Sequence, residues 1–211
     1  MKKDRTDKML TFIGRWWFTI FLLLPTWILV EQFWMALSRN ILLAVNYPYA
    51  FFVAPFFFVL DNLILIIHES GHTIFGIFRW RFLTILGGTL MELLIPFLLF
   101  ISAWLKHQKV LAQFSLFVLG YAWFDSSAYC MDAYYQQLPL IGNLPKSAHD
   151  FTNMLSSLNL LDHYKTISWF MFLIGFIVII LSLAWPAFYS QKKTDEEFID
   201  LKEELKKHGM I

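Results

Sequence analysis

Long apolar blocks alternate with short polar breaks along the chain, and the block lengths predict its elements. A membrane-crossing helix needs about 20 mostly apolar residues. The first block runs from about Phe12 to Trp34, with Pro25 inside it as an expected kink. After a polar break at Ser38 to Asn40, the stretch from Ile41 to Phe78 stays apolar for 38 residues. As one helix it would measure about 57 Å, nearly twice the hydrocarbon thickness. Pro48 and Pro55 therefore read as breaks. The pattern predicts a second span over Pro55 to Phe78. It leaves Ile41 to Ala54 as an interfacial or re-entrant piece, whose Tyr and Phe residues suit the headgroup belt.

"RWR" at Arg79 to Arg81 closes the second span with positive charge. A third span is expected over Phe82 to Leu105, then a tight turn at Lys106 to Lys109. A fourth runs from Val110 to about Tyr129 and turns polar near Asp125 to Ser127. A loop of about 35 residues follows, punctuated by Pro139, Gly142 and Pro145. The fifth span is expected over Ile167 to Tyr189. The expected fold is all-α: a polytopic membrane bundle of five to six transmembrane helices with a possible re-entrant segment. One membrane-embedded domain covers 1–190, and 191–211 form a charged amphipathic tail.

Composition agrees with this pattern. Hydrophobic residues make up 58% of the 211 and charged ones 16%, against about 45–50% and a quarter in soluble domains. The chain is expected to be a multi-pass integral protein of the cell (inner) membrane. A formal charge of +1, with no basic run among exposed aromatics, argues against nucleic-acid binding. The single cysteine, Cys130, allows neither an intramolecular disulfide nor a Cys-based zinc site. The basic N-terminal flank and "RWR" fit a cytoplasmic N-terminus, but five spans would then put the Lys-containing tail outside. Charge does not fix the orientation.

The stretch "LILIIHESGHTIFGIF", Leu63 to Phe78, departs from the apolar rule. His68, Glu69 and His72 stand mid-span, where ionisable residues are expensive and functional by default. On a helix, His68 and His72 at i and i+4 share a face and can converge on one ion, with Glu69 beside them as a proton acceptor for an attacking water. Zinc suits such ligands, although the spacing alone also permits iron or cobalt. The competing reading is a polar contact between helices. Gly71 and Gly76 are expected to let a neighbouring helix approach closely.

Three segments resemble the site-2 protease family of intramembrane zinc metalloproteases, and in particular its small members. They are "HESGH" at His68 to His72, "GGTLMELLIPFLL" at Gly87 to Leu99, and the segment from Met131 to Asp162. Together they span about half the chain in the family's order. The resemblance implies hydrolysis of peptide bonds in membrane-embedded protein or peptide substrates, with Zn2+ as cofactor and the lipid bilayer as surroundings. It implies Glu69 as the catalytic base, and His68, His72 and a downstream aspartate as metal ligands. The family's Asn-Pro-x-x-Asp-Gly type motif is absent here. Asp150, in "HDF", is the stand-in, and His149 is the alternative ligand or a brace beside it. Asp150 can also be read as the N-cap of the helix that follows. No soluble segment is long enough for a PDZ-like or CBS-like domain.

Other polar residues are weaker candidates. Glu92 in the third span is expected to contact a ligand imidazole, line the substrate path or form a plain buried hydrogen bond. Asp132 is a candidate brace for a ligand histidine. Asp125 reads mainly as a helix-end residue. Asp61 lies about 10 Å along the axis from His68, too far to share its ion. His107, Asp162 and His163 read as surface residues. Two other activities stay open: a membrane metallohydrolase of a lipid or small molecule, and a non-catalytic metal-binding scaffold.

Overall fold

A computed structural model describes residues 2–38, 53–188 and 203–208. Among these, all regular structure is helical. The long helices are α1 (Lys2–Ser38), α2 (Ala54–Gly76), α3 (Arg81–Leu105) and α4 (Lys109–Met131). A short α5 (Asp150–Ser157) and a long α6 (Tyr164–Ala184) follow. One-turn 3-10 segments occur at Ile141–Asn143, Lys146–Ala148, Leu161–His163 and Trp185–Phe188.

Local chemistry sets these boundaries. Proline in the first turn of α2 loses no hydrogen bond, because that N–H has no intrahelical partner. α1 runs unbroken through Pro25, and α3 through Pro96. Arg79 (φ 54°) and His107 (φ 56°) adopt left-handed backbone in the connections α2–α3 and α3–α4. Such residues let the chain reverse within a few positions. The turn expected at Lys106 to Lys109 is the second of these. The long loop after α4 is only partly irregular, since it contains α5 and three of the 3-10 turns.

Among the described residues, four segments are long and apolar enough to cross a membrane: Phe12–Ser38, Ala54–Gly76, Arg81–Leu105 and Leu161–Phe188. The expected five to six are thus not confirmed. The missing one is α4, which has the length but carries Gln113, Ser115, Asp125, Ser126 and Ser127. Its position explains that composition. α4 packs against α6, α3 and α1, and Phe117, Ala122, Phe124, Ser127 and Cys130 are fully buried within it. A helix surrounded by protein need not dissolve in lipid. The helices around it turn apolar residues such as Trp27, Phe58, Ile66 and Phe170 outward. Apolar surface of this extent marks an interaction face, and it is compatible with contact to lipid tails.

Two close approaches order the bundle. α4 meets α6 where a Cβ on Gly175 would stand 3.0 Å from the Gly120 carbonyl oxygen. α2 meets α3 at Gly71 and Gly87, where a Cβ on Gly71 would overlap the Gly87 carbonyl. α1 is latched to α4 and α6 by polar contacts. The Thr19 hydroxyl donates to the Leu183 carbonyl of α6 at 3.1 Å and accepts from Gln113 of α4 at 2.7 Å, and Arg15 Nε and Nη2 donate to the Pro186 carbonyl in the turn after α6 at 2.8 and 2.6 Å. The proposed re-entrant stretch falls almost wholly outside the described residues. So does most of the tail, of which 203–207 are helical.

Candidate metal centre

His68 is eight residues from the end of α2, about 12 Å in from its C-terminus. The residue is buried, at 8% exposure, and His72 lies one turn further on. The two rings stand edge to face with centroids 4.8 Å apart. α3 can pass so close because it presents Gly88 there. A Cβ at that position would lie 2.5 Å from His68 Nε2 and 2.7 Å from His72 Cε1.

Each imidazole is anchored through Nδ1. His68 Nδ1 donates to Glu92 Oε2 at 2.8 Å, and His72 Nδ1 donates to the Thr84 carbonyl at 2.9 Å. Glu92 is 2% exposed and also accepts a hydrogen bond from Ser126. With Nδ1 as donor, a neutral ring keeps its lone pair on Nε2. Both Nε2 atoms face Asp150 Oδ2, at 3.1 Å from His68 and 3.2 Å from His72. Burial alone would raise the Asp150 carboxyl. Hydrogen bonds accepted from rings protonated at Nε2 more than reverse this and hold it below the usual carboxylate range. With both rings neutral and Asp150 ionised, three acceptor atoms would instead crowd one point. That arrangement requires positive charge, either protons on the rings or a cation between them.

The donor set fits zinc. Two ligand atoms each about 2.0–2.1 Å from a tetrahedral zinc lie roughly 3.3 Å apart, close to the Nε2 to Oδ2 separations of 3.1 and 3.2 Å. Nδ1 bonds to a carboxylate and a backbone carbonyl are the usual bracing for metal-bound histidines. Glu69 offers a further oxygen, with its ligand atom and those of His68 and His72 all within 4.8 Å of one another. A cavity of 670 Å³ reaches the cluster and is lined by His68, Glu69, His72 and Asp150.

Other candidates lie apart from this point. His149, not Asp150, is the N-cap of α5, where its Nδ1 accepts from the Thr152 N–H at 3.4 Å. Its Nε2 faces Asp132 Oδ2 at 3.6 Å and does not turn toward the pair on α2. Asp132 accordingly neighbours His149 and neither of His68 and His72. It accepts the backbone N–H groups of Gln137 and Leu138 at 2.7 and 2.8 Å. Asp61 accepts from the Tyr121 hydroxyl, and Asp125 lines the same cavity instead of ending a helix at the interface. His107 and His163 are exposed.

Sequence reasoning missed three participants. Thr84 acts through its backbone carbonyl, which has no side-chain signature. Ser126 belonged to the polar "DSS" run, read only as the end of a span. Tyr129, whose hydroxyl accepts the Asp150 N–H at 3.2 Å, entered only as the approximate end of the fourth span. No protein-family model matches this chain, and no curated protein or solved structure does either.

Proposed function

We propose that the protein is a zinc-dependent intramembrane endopeptidase of the site-2 protease type, acting on membrane-embedded protein segments in the cell membrane. The observation that carries this reading is the meeting of His68 Nε2, His72 Nε2 and Asp150 Oδ2 at 3.1–3.2 Å, with both Nδ1 atoms already engaged. α4 completes a five-helix membrane domain in this reading, enclosed by the four apolar spans.

Zinc held by His68, His72 and Asp150 would supply Lewis acidity, polarising a carbonyl and lowering the pKa of water. Glu69, on the cavity wall beside the cluster, takes the proton of the attacking water and returns it to the leaving amine. Glu92 and the Thr84 carbonyl keep each imidazole in the tautomer that offers Nε2. A helical substrate has its amides bonded internally and must unwind locally to enter.

The test is metal content and cleavage of single-span peptides by purified protein. Glu69→Gln should retain one zinc per chain and lose about 10²–10⁴-fold in turnover. Undiminished turnover in that variant would remove Glu69 from the chemistry. Zinc-dependent hydrolysis of small esters, with every single-span peptide left intact, would favour a lipid or small-molecule hydrolase.

A further inference from the structure

Asp150 is the one candidate ligand that no membrane helix carries, so something must hold it. Its neighbour His149 is 1% exposed, with its ring 4.2 Å from that of Tyr129. Because His149 Nδ1 accepts the Thr152 N–H, the proton of the neutral ring sits on Nε2. That nitrogen has no hydrogen-bond partner, and the group it faces is Asp132 Oδ2 at 3.6 Å. Asp132 is itself 1% exposed and stands at the C-cap of α4. Its carboxylate also takes up two consecutive amides, Gln137 and Leu138. Leu138 begins the stretch Leu138 to Ile141 that walls the cavity.

A buried ring nitrogen without a partner, facing a buried carboxyl group, calls for a structural explanation. Here the pair joins the cavity wall, the end of α4 and the residue next to Asp150. We propose that Asp132 and His149 are a positioning pair: they set the Asp150 carboxylate in ligand geometry and tie it to the cavity wall at Leu138. The inference rests on the metal reading of Asp150. Neither residue lines the cavity.

Cobalt(II) is the probe, because its visible spectrum reports ligand geometry where zinc is silent. Full-length metal-free protein in micelles is titrated with Co2+, and its thermal midpoint is followed separately. Asp132→Asn should bind Co2+ about 10–100-fold more weakly with a changed visible band, while the midpoint of the metal-free protein stays near wild type. His149→Phe, which keeps the ring against Tyr129 but removes both nitrogens, should do the same. It decides the matter if Asp132→Asn does not fold. Wild-type affinity and spectrum in the folded variants overturn the positioning pair and leave the metal centre standing. Absence of Co2+ binding by the wild-type protein overturns both.

Discussion

The two halves of the proposed centre are held by different physics. His68 and His72 ride on a 23-residue helix pressed against α3 at Gly71, Gly87 and Gly88, where backbone meets backbone and ring. Asp150 opens an eight-residue helix after an irregular stretch, and polar contacts fix it: Tyr129 to its N–H, His149 to Thr152, and the Thr152 hydroxyl to the Ala133 carbonyl at 2.5 Å. Steric packing leaves no tolerance for extra atoms. A hydrogen-bonded support yields by degrees, since each bond contributes only about 1 kcal/mol net.

The sharpest way to break this contrast is to add one methyl group to the packed half. Gly88→Ala puts a carbon 2.5 Å from His68 Nε2. Overpacking of this kind costs about 1–3 kcal/mol or more, and the displaced rings should bind zinc roughly 100-fold more weakly. Calorimetric titration with Zn2+ checks this, and wild-type affinity would show that the packed half can yield after all. Glu92→Gln comes next. It keeps the shape but weakens the grip on His68 Nδ1, for an expected loss of about 10-fold, at the low end of such bracing effects. A loss as large as that of Gly88→Ala would mean that bracing, not packing, governs this half. Thr152→Val should do least. It removes the hydroxyl that donates to Ala133 and accepts from Gln136 Nε2 at 3.0 Å. The expected loss is about 1 kcal/mol, or fivefold or less in zinc affinity. An effect beyond tenfold would make the polar half as brittle as the packed one.

The same contrast explains what could be read from the sequence. The apolar blocks of α1, α2, α3 and α6 announce themselves, because lipid-facing helices must be apolar for about 20 residues. α4 was legible as a helix but not as an enclosed one, since hydropathy does not say which neighbour supplies the surroundings. The pair His68 and His72 was legible because helical spacing alone puts them on one face. Asp150 could be named only as a candidate among several polar residues, because a contact across 82 positions leaves no local pattern. Its cap went to His149 for the same reason: choosing between adjacent residues requires knowing what lies opposite. Glu92 stood out by its expense inside an apolar span, whereas the carbonyl of Thr84 could not stand out at all.

Gly88 also constrains where such a centre can arise. Position 88 faces two imidazoles with no room for a side chain, and Glu92 follows it one turn later on α3. Any chain that assembles this cluster in this way should therefore repeat a spaced signature: His-Glu-x-x-His, fourteen residues, Gly-Gly, three residues, Glu. A chain that keeps the histidines but has a bulkier residue at the second glycine must bring its helices together at another height. Its histidine pair then has to find a different support.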